Sequence, residues 1–180
     1  FHTRGTVGEI YGTVAREYGS AVPCDQIQAS FARQFGHSGP LSTGDEKEWW
    51  KSVVHRVFSD VGMVRNFDEF FEEVYDIFRD ETGWVLFPET LSVLQELKSM
   101  RFKLGVISNF DSRLYTVMQS LGILHFFDAV TICSQVGFAK PDPRIFEAST
   151  YALGIPPSRT LLVGDSLHDD IEAGIRAGFA

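Results

Sequence analysis

The second half of the chain alternates short apolar strands with helices, and this alternation limits the possible folds more than any other feature. Strands are predicted at 102–108, 129–133 and 160–164. The predicted helices around them are 88–100, 112–120, 143–153 and 171–177. Strands joined by helices of this length form a parallel sheet covered by helices, with ligands at the carboxyl ends of the strands. We therefore predict an α/β core with a parallel sheet between helices and expect the functional residues directly after each strand.

The first half of the chain has a different pattern, because residues 6–80 look helical throughout. The clearest helix has one aromatic face, formed by Phe67, Phe70, Phe71, Val74, Tyr75 and Phe78. Another begins near the acidic residues 45–48, and a Gly-, Ser- and Pro-containing loop is predicted at 36–44. Trp49, Trp50, Phe70 and Phe71 either select a ligand or form a core; their helical spacing favours a core. This half is predicted to be an all-α bundle.

Composition excludes some classes of partner and indicates the cellular compartment. The chain has 180 residues and a mass of 20.2 kDa, which suits one domain with at most a smaller insert. A net charge of −8 and a pI of about 5.1 argue against nucleic-acid partners and against a polybasic membrane anchor. Cys24 and Cys133 lie too far apart for a disulfide framework or a zinc site, so a cytoplasmic protein is expected. An organelle is the alternative if a transit peptide precedes the chain.

Polar side chains follow each of the three predicted strands. Ser108 and Asn109 follow the first strand, Lys140 lies in the loop after the second, and Asp165 follows the third. Hydroxyl and ammonium groups hold a phosphate, and carboxylates hold a hard cation. Taken singly, each has a structural interpretation: a turn, a solvated lysine, or a helix cap made by Asp165 or Ser166. Their order at successive strand ends favours a metal-assisted site for an anionic substrate.

Three segments carry a family resemblance. V-I-S-N (106–109), K-P-D-P-R-I-F (140–146) and V-G-D-S-L-H-D-D (163–170) resemble the second, third and fourth motifs of the haloacid dehalogenase-like (HAD) hydrolase superfamily. S-N-F-D (108–111) and the Trp49-Trp50 pair resemble the group named haloacid dehalogenase-like hydrolase domain-containing protein 3. The resemblance implies an inserted all-α cap of the C1 type at 5–85 and a Rossmann-like core at 86–180.

The resemblance also implies roles for the residues after the first two strands. Ser108 would donate a hydrogen bond to the transferring phosphoryl group, and Asn109 beside it would orient the substrate. Lys140 would act in catalysis and in phosphate binding, by neutralising charge on the nucleophile and on the phosphoryl oxygens. The expected partner is therefore a small phosphorylated substrate.

The fourth motif implies a Mg²⁺ site. Asp165 would be a direct ligand, and Asp170 would hold the ion through water. Asp169 suits a shorter form of the motif, but Asp170 is preferred because Gly178 follows it by eight residues, as in relatives. His168 is expected to be an exposed loop residue and not a ligand.

The family's first motif, D-x-D-x-T, does not occur in this sequence. Phe1-His2 resembles the stretch after that motif, so the nucleophilic aspartate is expected ahead of Phe1 and the chain is expected to be an inactive fragment. Asp111 and Asp142 are expected to cap helices and not to replace it. In the family, the strand of this motif lies between the strands at 102–108 and 160–164, and a further strand follows residue 180. We therefore expect 102–108 and 160–164 not to pair, and the isolated polypeptide to aggregate or to fail to fold.

The expected activity is that of a Mg²⁺-dependent phosphatase that acts on small phosphorylated metabolites through an aspartyl-phosphate intermediate. One alternative is a metal-independent 2-haloacid dehalogenase, which has no use for clustered carboxylates such as Asp165 and Asp170. Another is a catalytically weak or inactive interaction module with the same fold. A receiver domain is less suitable, because it carries no large helical insert.

Overall fold

The computed structural model describes residues 1–37 and 44–180, so most of the predicted loop at 36–44 lies outside the described residues. The described chain divides into two compact units. The first contains residues 1–37, 47–90 and 113–122, and the second contains 44–46, 91–112 and 123–180. The predicted division into a cap at 5–85 and a core at 86–180 remains a prediction.

Helices make up most of the first unit. Its elements are β1 (His2–Thr3), α1 (Val7–Glu17), α2 (Cys24–His37), α3 (Glu46–Val61), α4 (Phe67–Ile77), β2 (Trp84–Val85) and α6 (Arg113–Ser120). The strands β1 and β2 pair in antiparallel orientation. Helix α1 begins with a reciprocal cap, in which Thr6 Oγ1 accepts from the Glu9 N–H and the Glu9 carboxylate accepts from the Thr6 N–H.

An aromatic core holds these helices together. Phe58, Phe70 and Phe71 are fully buried, and the rings of Phe58 and Phe70 meet edge to face with 4.8 Å between their centroids. Trp49 and Trp50 are partly buried against the same cluster. The core interpretation of the aromatic stripe is therefore confirmed for Phe70 and Phe71.

The second unit contains a two-stranded parallel sheet. Its elements are α5 (Thr90–Ser99), β3 (Gly105–Ser108), β4 (Ala129–Ile132), α7 (Cys133–Val136), α8 (Pro143–Leu153) and α9 (Ala173–Arg176). The register runs from Gly105 opposite Ala129 to Ser108 opposite Ile132. Helix α8 packs on both strands, with Ile145 and Phe146 fully buried. The first two predicted strands are thus confirmed, and the parallel α/β class with them.

The third predicted strand, 160–164, is wrong. Its backbone bonds to Ala180 and not to a sheet: the Leu162 N–H donates to the Ala180 carbonyl at 3.4 Å, and the Ala180 N–H donates to Thr160 at 3.1 Å. A strand requires a paired neighbour, and within 1–37 and 44–180 only β4 pairs with β3. The side chains of Leu161 and Val163 are consequently 74% and 84% exposed.

The last predicted helix, 171–177, is confirmed in part. Ala173–Arg176 form one turn of α-helix, but a wide π-helical turn at Leu167–Glu172 precedes it, so the helical segment begins earlier than predicted. Single π-helical turns often occur at functional sites.

The structure also shows the state of the cysteines and the length and apolarity of the helices. Cys24 and Cys133 are both free thiols. Across the described ranges, none of the helices has the length and apolarity needed to cross a membrane.

The start of α8 agrees with the expected capping pattern. Asp142 Oδ1 accepts from the Arg144 N–H at 3.0 Å, Pro143 occupies the first turn, and Gly154 ends the helix with φ of 65°. The Arg144 guanidinium also bonds to the Asp142 carboxylate at 2.9 and 2.6 Å. The hydrogen bonds from the Arg144 side chain and backbone lower the pKa of Asp142 to about 2.

We predict that Asp142→Ala lowers the Tm at pH 7 by about 2–4 °C, because α8 loses its N-cap. Since the pKa is lowered in the folded state, the stabilisation from ionised Asp142 is complete above about pH 4. It is lost as the pH falls from there to about 2. Thermal unfolding followed by circular dichroism between pH 2 and pH 7 measures both effects.

Asp142→Asn is the control, because it keeps a capping oxygen without the charge. It should retain most of the Tm at pH 7 but show a shallower fall in acid than the wild type. An Asp142→Ala protein whose Tm is unchanged at pH 7 would contradict the capping role.

We predict that the 180-residue chain self-associates, because Leu161 and Val163 are exposed apolar residues of the segment 160–164, which pairs with no strand in the described chain. Light scattering over a concentration series should show a mass above 20.2 kDa. Leu161→Ser with Val163→Ser should shift the mass towards that of the monomer, whereas Tyr151→Ser, at a side chain on α8 that is 90% exposed, should not. A wild-type chain that stays monomeric at all concentrations contradicts the prediction.

Candidate functional site

An ion pair in the second unit joins two of the residues singled out in the sequence. Lys140 Nζ lies 2.5 Å from Asp170 Oδ1, and the two side chains are 15% and 7% exposed. The residues are 30 positions apart, and the fold brings together the loop after α7 and the π-helical turn. A pair this well shielded from water interacts more strongly than a surface pair, because neither charge is fully solvated.

Asn109 fixes the backbone of the same lysine. Asn109 Oδ1 accepts from the Lys140 N–H at 2.7 Å, and Asn109 Nδ2 donates to the Lys140 carbonyl at 2.9 Å. Asn109 directly follows the last residue of β3, so this contact links the carboxyl end of the strand to the lysine loop. Ser108 ends β3 beside Asn109 and is partly exposed.

The Asp170 carboxylate is held on its other side by the turn that precedes it. Asp170 Oδ2 accepts from the Ser166 N–H at 3.0 Å. Ser166 Oγ in turn accepts from the Asp169 N–H at 3.0 Å, so Ser166 and not Asp165 caps this turn. Gly164 makes room for the carboxylate, since a Cβ there would lie 2.4 Å from Asp170 Cβ and Cγ.

The surroundings of Asp170 favour its ionised form. Burial acts to raise the pKa of this carboxyl, but the Lys140 hydrogen bond, the backbone bonds from Ser166 and Asp165, and the charge of Lys140 outweigh burial. The pKa of Asp170 therefore lies below its usual value. The site thus presents one carboxylate and one cation in a shielded position.

The two remaining carboxylates of the fourth segment lie nearer to solvent. Asp165 is exposed, and Asp169 Oδ1 contacts His168 Nδ1 at 2.8 Å, away from Lys140. Within residues 1–37 and 44–180, no group of three or more His, Cys, Asp or Glu side chains is placed to hold a metal. Asp165 and Asp170 nevertheless suit Mg²⁺, which binds through one or two carboxylates, several waters and substrate phosphate. Their assignment as metal ligands stays a prediction.

The loop after β3 is anchored by a residue that the sequence did not suggest. The Glu46 carboxylate accepts from the Ser112 N–H at 3.2 and 3.1 Å and from Ser112 Oγ. No local pattern signals a contact between residues 66 positions apart. Asp111, beside Ser112, is fully buried.

The first unit contains a buried arginine that the sequence analysis also missed. The Arg113 guanidinium lies 4.0 Å from the ring centre of Tyr75 and 5.3 Å from that of Trp50. Stacking on two rings compensates for part of the hydration that a buried guanidinium loses. Burial raises the pKa of Tyr11, and the charge of Arg113 opposes that rise.

Comparison with known proteins identifies the family to which the chain belongs. Residues 10–178 match the sequence pattern of the family described as "Hydrolase: haloacid dehalogenase-like hydrolase". The chain is 30% identical over 184 residues to haloacid dehalogenase-like hydrolase domain-containing protein 3 of Mus musculus, covering 97% of this chain and 73% of the mouse protein. It is 42% identical over 95 residues to glyceraldehyde 3-phosphate phosphatase of Methanothermobacter thermautotrophicus, covering 52% of this chain and 42% of that enzyme.

A solved structure shows the same fold. The L-2-haloacid dehalogenase from Xanthobacter autotrophicus superposes with a TM-score of 0.74 at 20% identity, covering 97% of this chain and 71% of that one. At this identity the likeness concerns the fold alone. Because the family pattern extends over residues 10–178, the protein belongs to the haloacid dehalogenase-like hydrolase family.

Proposed function

We propose that this hydrolase is a Mg²⁺-dependent phosphatase of small phosphorylated metabolites. The observation that carries the proposal is the shielded Lys140–Asp170 pair, which holds a cation beside the carboxyl end of β3. A phosphoryl group carries negative charge that such a lysine can neutralise. The similarity to glyceraldehyde 3-phosphate phosphatase over 95 residues supports the same reaction class.

Each residue of the site has a separate role in the proposed phosphoryl transfer. The Lys140 ammonium stabilises negative charge on the phosphoryl oxygens, and the Ser108 hydroxyl donates a hydrogen bond to one of them. Asp170 keeps the Lys140 ammonium in place through the 2.5 Å contact. The resemblance assigns the attacking carboxylate to the first motif, a D-x-D-x-T pattern that does not occur in residues 1–180.

Asp165 and Asp170 would hold Mg²⁺. When bound, the ion supplies positive charge that draws a phosphoryl oxygen into place and stabilises its developing charge. Asp165 is exposed, so its carboxylate is accessible to Mg²⁺ as a direct ligand. Asp170, whose oxygens already accept from Lys140 and Ser166, is suited to hold the ion through water.

The acidic residues of the fourth sequence segment favour this proposal over dehalogenation. A carbon-attacking site binds an anionic substrate without metal, and nearby carboxylates would repel that substrate. Asp169 and Asp170 lie in the π-helical turn Leu167–Glu172, and Asp165 directly precedes Ser166, the cap of that turn. The fold shared with L-2-haloacid dehalogenase does not distinguish the two reactions.

We expect a longer form of this protein that carries a D-x-D-x-T motif ahead of residue 1, called the natural protein below, to hydrolyse p-nitrophenyl phosphate in the presence of Mg²⁺. EDTA should abolish the activity and excess Mg²⁺ should restore it, because the carboxylates need the ion to bring the phosphoryl group close. Lys140→Met and Asp165→Asn should each lower kcat by about 10²-fold or more. The first removes the ammonium that faces the phosphoryl group, and the second removes a carboxylate that would hold Mg²⁺ beside it. Colorimetric release of p-nitrophenolate measures all four effects.

Release of chloride from 2-chloropropionate is the companion assay. Chloride release, or phosphatase activity that survives EDTA, would count against the proposal. A folded natural protein with neither activity would instead support the non-catalytic interaction module.

We predict that Gly164→Ala disturbs the site by displacing Asp170. The added methyl group overlaps the Asp170 carboxylate, so activity of the natural protein should fall about 10–100-fold, as for other residues that position a site. Phosphatase kinetics and thermal unfolding should be measured together.

The matched control for this variant is Gly174→Ala. Its added Cβ would lie 2.3 Å from Leu162 Cδ2, the end of a flexible apolar side chain, and not beside the Asp170 carboxylate as at Gly164. It should lower the Tm while leaving kcat within about twofold, since it perturbs packing alone. Equal activity in the wild type and in Gly164→Ala would show that the close approach does not matter.

A further inference from the structure

We infer that Asn109 is a positioning residue that fixes the Lys140 backbone, and not a group that binds substrate. The inference rests on the proposed function, because the reaction step that Lys140 serves is the phosphoryl transfer. It replaces the expectation from the resemblance that the Asn109 side chain orients the substrate.

The two hydrogen bonds of Asn109 have opposite polarity. Its carbonyl oxygen faces the Lys140 N–H, and its amino group faces the Lys140 carbonyl. Rotating the amide by half a turn would place donor against donor and acceptor against acceptor, so this arrangement has one orientation. The side chain thus completes a pair of bonds of the kind that joins neighbouring strands.

This pair lies between segments that make no strand pairing with each other. β3 ends at Ser108 and pairs with β4, whereas Lys140 lies in the loop before α8. Asn109 therefore ties the end of β3 to that loop through a side chain. Both bonds are partly shielded from water, which strengthens them relative to exposed bonds.

Lys140 is consequently fixed at both ends of its side chain. Asn109 fixes the backbone atoms, and Asp170 fixes the ammonium at 2.5 Å. A lysine side chain has four rotatable bonds, so an unfixed backbone would spread the ammonium over many positions. Positioning a charge to within a fraction of an ångström is what electrostatic catalysis requires.

The Asn109 amide is needed because it supplies both a donor and an acceptor, and not only for its size. Asn109→Asp keeps an acceptor for the Lys140 N–H but presents an oxygen to the Lys140 carbonyl. Asn109→Ala keeps neither bond. Both variants should therefore weaken the tie, and Asp preserves the shape of the side chain if Ala affects folding.

A double-mutant cycle in the natural protein tests whether Asn109 acts through Lys140. Asn109→Ala and Asn109→Asp should each lower kcat about 10–100-fold and change KM less than threefold, with p-nitrophenyl phosphate as substrate. In the Lys140→Met background, the same Asn109 substitutions should change kcat by less than about twofold. If they cost the same factor in both backgrounds, or mainly raise KM, Asn109 contacts substrate and the inference is overturned.

Amide hydrogen exchange supplies a readout that does not depend on activity. The Lys140 N–H should exchange about fivefold faster or more in Asn109→Ala than in wild type, because it loses its acceptor. Ser112→Ala is the control: Ser112 lies in the same loop but bonds to Glu46, so the Lys140 N–H should exchange as in wild type.

The two readouts keep the two proposals distinct. An inactive natural protein with faster Lys140 exchange in Asn109→Ala would overturn the proposed phosphatase but support the tie between Asn109 and Lys140. An active protein in which Lys140 exchange is unchanged by Asn109→Ala would overturn the tie alone.

Discussion

The shielded ion pair between Lys140 and Asp170 is the interaction on which the arrangement of the second unit's polar residues depends. A buried pair is costly to form, because both ions leave water, and removing one partner from such a pair costs about 3–5 kcal/mol. The surrounding contacts reduce that cost: Ser166 donates to the second oxygen of Asp170, and Gly164 leaves space for the carboxylate. Polar groups that stability alone does not require are expected where a protein binds or transforms a ligand.

The same pair connects local structure to chemistry. Three segments each contribute one polar residue: Asn109 after the carboxyl end of β3, Lys140 in the loop before α8, and Asp170 in the π-helical turn. Hydrogen bonds join Asn109 to Lys140 and Lys140 to Asp170. Each contact restrains a different degree of freedom of the lysine. A site assembled in this way is organised before substrate arrives, so little reorganisation remains for the reaction itself.

Periodicity predicted those parts of the fold that depend on local patterns. The aromatic stripe of α4, the strands β3 and β4, and the Asp142 cap of α8 are set by nearby residues, and all were predicted. The segment 160–164 has a strand-like composition but no strand beside it in the described chain. Composition records which side chains suit a sheet, whereas pairing depends on residues distant in the sequence.

The candidate site shows the same division. Strand ends located Ser108 and Lys140, which follow β3 and β4 along the chain, whereas Asp165 was located from the segment 160–164, which forms no strand in the described residues. The long-range contacts around the site were not predictable, since the bonds of Asn109 to Lys140 and of Glu46 to Ser112 join positions 31 and 66 apart. Their side-chain types are compatible with many neighbours, and only the folded chain selects one.

The close approach at Gly164 has a consequence for how the sequence can vary. The side chain of Asp170 occupies the volume that a side chain at position 164 would need. A side chain at 164 therefore needs space that Asp170 fills. A larger residue at 164 is expected only together with a smaller or redirected side chain at 170, whereas residue 170 can become smaller while Gly164 is kept.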